Sequence, residues 1–176
     1  MSNLDRKSGF TIVESLIAIT ILVLAITGTT TAIQTGLSSY LFSKNQIIAF
    51  YLAQEGLEQI KNIRDENGLM NNTHWLTNIA KNPPDPCDFG KVCTVDPVNS
   101  NVPIYCGADD ECEYLRQDAI TGFYGYDNND PLTNFKREIT LTEISDDEVV
   151  VTVTIDWTKG LTSRQFKVTG SLFDWQ

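Results

Sequence analysis

Proline is missing ahead of Pro83, histidine occurs once, as His74, and 13 basic side chains face 23 acidic ones. Each shortage excludes something. Without proline, nothing in the opening third of the chain forbids a continuous helix. A lone histidine, with no serine or cysteine set beside it in a nucleophile and base pattern, gives no reason to expect catalysis. A formal net charge of -10 turns most of the surface against phosphate backbones, so a nucleic-acid partner is not expected. The 176 residues allow one domain with an appendage and a modest core.

Tight C-x2-C knuckles are absent as well. The four cysteines, Cys87, Cys93, Cys106 and Cys112, are spaced C-x5-C, twelve residues, then C-x5-C. That spacing argues against a zinc ribbon and for disulfides formed outside the cytoplasm. Local pairs 87 with 93 and 106 with 112 are the simplest arrangement, and nested pairs 87 with 112 and 93 with 106 are the runner-up; spacing does not choose among the three connectivities.

What the chain does have is a long apolar opening. Within residues 10–26 only Thr11, Glu14, Ser15 and Thr20 are polar, and continuing to Ile33 gives 24 residues. At ~1.5 Å per residue this crosses a hydrocarbon core of ~30 Å. Arg6 and Lys7 precede it, which keeps the amino terminus cytoplasmic and sends the rest outward. A cleaved signal peptide would have a shorter apolar core followed by a small-residue cleavage site, and none is evident. A plain anchor leaves Glu14 unexplained, because a carboxylate inside a membrane is costly.

The stretch KSGFTIVESL, residues 7–16, resembles the prepilin cleavage and methylation motif of type IV pilins and of the pseudopilins of type II secretion. The resemblance implies a cytoplasmic leader, 1–9, removed between Gly9 and Phe10 by a prepilin peptidase, with Phe10 becoming the N-methylated first residue. It further implies incorporation, through inner-membrane assembly machinery, into a filament of homologous subunits. Cutting there creates an amine at the positive end of a helix macrodipole, which is unfavourable in apolar surroundings. Glu14, four residues on, is placed to offset it within the chain. In the family the same carboxylate instead neutralises the amine of a neighbouring subunit, which would make Glu14 a register device, since an unpaired buried charge penalises the wrong register. Loss of the leader removes Arg6, Lys7 and Asp5 and leaves the product one unit more acidic.

Helical spacing continues past the apolar run. Ile48, Leu52, Gly56, Ile60 and Ile63 recur every three or four residues, with Gln54, Glu55, Glu58, Lys61 and Asn62 mostly opposite. The expected helix runs from Phe10 to about Glu66, ~85 Å if straight, with a membrane or filament-core part over 10–33, an amphipathic part over 34–66 and Gly68 as its stop. Gly28 and the threonines of TGTTT, residues 27–31, lower helix propensity, so bending or unwinding is expected there. The segment around LAQEGLE, residues 52–58, is also similar to minor pilins.

Residues 67–134, rich in Asn, Asp, Pro and Gly, read as a variable region tethered by the cysteines. From 135 to 176 the period changes to two. Val149, Val151, Val153, Ile155 and Trp157 share one face, with Phe135, Ile139 and Leu141 before them and Phe166, Val168 and Leu172 after them. The expected fold is α+β: one long helix on an antiparallel sheet of three to four strands, the lollipop arrangement that the family resemblance implies. Asp109, Asp110, Asp127 and Asp130 offer oxygen ligands for calcium, without the spacing of a known calcium loop; no other cofactor is expected. Asn71-Asn72-Thr73 fits a glycosylation triplet. The functional expectation is a membrane-inserted structural subunit that ends in a surface filament or secretion pseudopilus. An anchored extracellular binding module is the alternative, while a DNA-uptake receptor using a local patch of Lys136, Arg137, Lys159, Arg164 and Lys167 is disfavoured by the net charge.

Overall fold

The structure is a computed structural model that describes residues 9–70, 74–81, 84–160 and 162–174. The basic leader up to residue 8 and the triplet 71–73 lie outside the described residues. Helix α1, Ile12–Leu69, contains 58 residues, and the chain divides into two compact units, one up to Asn45 and one from Gln46 onward.

In the first unit α1 begins two residues later than the expected start. Thr11 precedes the helix and its Oγ1 accepts from the Glu14 N–H at 3.3 Å, which makes it the N-cap. The helix is continuous through residues 27–31, so the unwinding expected there does not occur. Thr27, Thr29, Thr30 and Thr31 each return their hydroxyl to the carbonyl four residues earlier, at 2.9, 3.0, 2.8 and 2.9 Å. That bond satisfies the hydroxyl without leaving the helix, and back-bonding of this kind often bends a helix instead of ending it. At the far end Gly68 lies inside the last turn instead of ending it, because the Met70 N–H still reaches the Glu66 carbonyl at 3.0 Å.

The second unit holds the remainder of α1 and an antiparallel sheet. Its strands are β1 (Val92–Asp96), β2 (Ser100–Tyr105), β3 (Tyr114–Gln117), β4 (Tyr124–Gly125), β5 (Leu132–Ser145), β6 (Glu148–Lys159) and β7 (Thr162–Phe173). The expected meander is β5 to β7, with Ile139 opposite Val153 and Ile155 opposite Phe166. The α+β layout is as expected, but among the described residues the sheet has seven strands where three to four were expected. Four short strands come from the region read as variable: β1 and β3 both pair with β5, β2 extends β1, and β4 extends β3. Strand β1 escapes notice because its residues from Cys93 to Asp96 are all buried, so no alternation marks it.

The core sits where the apolar faces meet. Ala49, Leu52, Ala53, Ile60 and Ile63 of α1 join Val149, Val151, Val153, Ile155 and Trp157 of β6 and Phe135, Ile139 and Leu141 of β5. Close approach is permitted by two glycines. A Cβ at Gly56 would meet Arg137 Cδ at 3.0 Å, and one at Gly170 would meet both Leu57 methyls at 3.2 Å. Beyond the helix, Trp75, Leu76, Ile79 and Ala80 are also buried, in hydrogen-bonded turns where the Ile79 and Ala80 N–H groups both donate to the Leu76 carbonyl. Asn67 fastens these turns to α1, donating from Nδ2 to the carbonyls of Trp75 at 3.1 Å and Thr77 at 2.8 Å.

Candidate functional site

The amino-terminal segment supplies the first candidate. Gly9 and Phe10 lie outside the helix, so their backbone groups are not committed to a helical ladder, and both are exposed. A Cβ at Gly9 would meet nothing within 4 Å among the described residues.

Glu14 stands three residues after the Thr11 cap, in the first turn of α1. A carboxylate there complements the helix dipole, worth ~0.3 to 1 kcal/mol when exposed, and Thr-x-x-Glu is the capping-box pattern. This is a second intrachain reason for an acid at position 14, one that the reading through the Phe10 amine did not include. Around it Ile12, Val13, Leu16, Ile17, Ile19, Ile21, Leu22, Val23, Leu24 and Ile26 are all more than half exposed. An apolar window long enough to cross a membrane has none of its residues buried by the rest of the structure. Such a surface is stable only against lipid or another apolar partner.

The second unit contains a buried charge that the sequence reading misplaced. Arg137 was grouped with surface cations, yet it is fully buried on the inward face of β5 between Phe135 and Ile139. Its Nη1 lies 2.8 Å from Glu55 Oε2 and donates to the Leu52 carbonyl at 3.3 Å, while Nη2 donates to the Val95 carbonyl at 2.6 Å. The strand alternation could have found it, since position 137 has the same parity as the core positions 135, 139 and 141. The cationic patch thus loses its central member. Lys136, on the opposite face, is 3.7 Å from Glu111 and sits over the Tyr114 ring.

The cysteines form two local disulfides, Cys87–Cys93 and Cys106–Cys112. The first is wholly buried and ties the loop before β1 to the strand. His74 is occupied structurally: its Nδ1 accepts from the Leu76 N–H at 3.1 Å and its ring stacks on Trp75.

Among the described residues no group of three or more His, Cys, Asp or Glu side chains converges as a metal site. Asp127 Oδ1 accepts from the Asn129 backbone and side chain, both at 2.9 Å. Asp130 is pushed above the usual carboxylate range, first by desolvation and then by Asp118 and Asp127. Asp118 is lowered by the backbone N–H groups of Ile120 and Thr121. Asp109 and Asp110 are exposed in the turn between the second pair of cysteines.

A family model of the prokaryotic N-terminal methylation motif matches residues 4–30, the span from the basic leader through the first apolar turns of α1. No curated protein and no solved structure matches the chain. Gly9, Phe10 and Glu14 all fall inside the matched span, which also holds the Thr11 cap and the start of the uncovered apolar helix. At its amino terminus the chain therefore carries the N-terminal methylation motif, the signature of type IV pilins and pseudopilins.

Proposed function

We propose that the chain is a structural subunit of a type IV pilus-like filament, with no catalytic role of its own. A prepilin peptidase cuts it between Gly9 and Phe10 and methylates the new amine, and the mature chain then passes from the membrane into the filament through α1. The observation that carries this reading is the methylation motif lying on a helix whose apolar surface nothing else in the structure covers. Arg6 and Lys7 keep the leader in the cytoplasm, where the peptidase would act, and the second unit is exported with its disulfides. Among the described residues no contact requires glycine at position 9, which supports selection by an enzyme that needs a residue without a side chain next to the bond it cuts. Glu14 contributes twice: it complements the amino end of α1 in the monomer, and in the filament it pairs with the amine of a neighbouring Phe10.

The test is Gly9→Val in the full chain. Processing should stop, leaving the variant in the membrane fraction at its unprocessed mass and absent from sheared surface filaments. Normal entry into filaments by the uncut variant would overturn the reading. Glu14→Ala with Gly9 intact separates the second role: processed chain should accumulate in the membrane, whereas filament entry at the normal level would remove Glu14 from assembly.

A further inference from the structure

Charge on the second unit is divided between two places. From Trp157 to Phe173 the chain carries Lys159, Arg164 and Lys167 and no acidic residue. From Tyr105 to Glu113 it carries Asp109, Asp110, Glu111 and Glu113 and no basic one. The basic segment includes β7, which among the described residues pairs only with β6 and leaves its other backbone edge without a strand. An edge of twelve residues in that state is a template for another chain.

The acidic segment borders a groove of about 320 Å³ lined by Thr94, Tyr105, Cys106, Glu111, Glu113 and Tyr126. Tyr126 is anchored there by a 2.7 Å hydrogen bond between its hydroxyl and that of Thr94. The chain's own lysines show what this surface attracts. Lys91 sits 5.7 Å from the centre of the Tyr105 ring, and Lys136 sits 5.4 Å from that of Tyr114 while pairing with Glu111. Tyrosine faces and carboxylates together suit an alkylammonium group. Glu113 is exposed and enters no ion pair among the described residues, and the same holds for Lys167 on the edge strand.

We propose that β7 of one copy, led by Lys167, docks on the acidic, tyrosine-lined groove beside Cys106–Cys112 of a second copy. The two patches are different, so the contact is head to tail, and a contact of that type builds an open filament when its rotation does not close into a ring. That the occupant is a second copy rests on the filament reading, and the chemistry of the two patches supplies their complementarity.

The experiment treats membranes and sheared filaments containing the full chain with a water-soluble carbodiimide, which joins carboxylates directly to amines. The covalent dimer band is then digested and mapped by mass spectrometry. The expected link is Lys167 to Glu113 or Glu111, lost in 1 M salt, where screening acts within ~3 Å. Lys167→Glu should reduce the dimer at least tenfold, and the exchanged pair Lys167→Glu with Glu113→Lys should restore it. The intrachain link of Lys136 to Glu111 serves as the reagent control in the monomer band. Filaments that show the control link without the interchain one overturn this contact and leave the filament reading intact. The interchain link in chains that never enter filaments supports the contact and overturns the filament reading.

Discussion

Arg137 on β5 and Glu55 on α1 are joined 2.8 Å apart inside the second unit, with the guanidinium fully buried and the carboxylate side chain 36% exposed. The pair fixes where the helix lies on the sheet, since the same guanidinium also holds the carbonyls of Leu52 and Val95. Removing Glu55 leaves a buried charge held only by neutral groups, the Leu52 and Val95 carbonyls and the Tyr126 hydroxyl. We expect Glu55→Gln to lower stability by about 2 kcal/mol, below the roughly 3–5 of a wholly buried pair because Glu55 reaches solvent. Thermal unfolding of the full chain in detergent measures it. Adding Arg137→Met should recover part of the loss, because the double variant no longer buries a charge.

Gly56→Ala tests how tightly that junction is packed. The new methyl would sit 3.0 Å from Arg137 Cδ and 3.2 Å from Val153 Cγ1. Alanine favours the helix by about 1 kcal/mol, whereas overpacking costs ~1 to 3. Arg137 is held at its far end and has little room to yield, so the net effect should be a lower melting temperature.

Glu138 gives the second unit a dependence on pH. Its carboxyl is raised above 4.5, first by desolvation and then by Asp156, with Glu111 and Asp110 adding to the rise and Lys136 opposing it. Below about pH 4 the group is protonated in both folded and unfolded chains and has no effect. As pH rises the unfolded chain ionises first, so this contribution to stability falls until the folded group has ionised too. Glu138→Gln should therefore melt higher than the natural chain at pH 7, and the difference should vanish near pH 4. A difference that does not change with pH would contradict the assignment.

The disulfides close loops of equal length, each with a sequence separation of 6. On chain entropy alone each is worth about 2 kcal/mol. Cys87 and Cys93 are both fully buried, whereas Cys106 is only half-buried. Replacing the first pair with serine should therefore cost more, through polar groups left in the core, than replacing the second. Non-reducing peptide mapping should find the two local pairs, and a nested pairing would contradict the fold around β1.

Where one physical signal dominated, the sequence was readable. The helix followed from the absence of proline and the spacing of Leu52, Gly56, Ile60 and Ile63, and the meander from the strict alternation through Val149 to Trp157. Strands β1 to β4 were not readable, because they are short and pair with β5 across long sequence separations that no local period records. Arg137 was misread because residue type was allowed to outweigh parity. Low propensity at residues 27–31 does not unwind the helix, because the threonine hydroxyls bond back to carbonyls of the same helix. At the amino terminus Gly9, Phe10 and Glu14 were legible as a motif, while the capping role of Thr11 emerged only from its 3.3 Å bond to the Glu14 N–H.

The most direct test is the mass of the mature amino terminus, determined on chain recovered from sheared surface filaments. The account predicts a first peptide that begins at Phe10 and is heavier than its unmodified form by a single methyl substitution on the amine. A chain that begins at Met1, or at any residue other than Phe10, would contradict it.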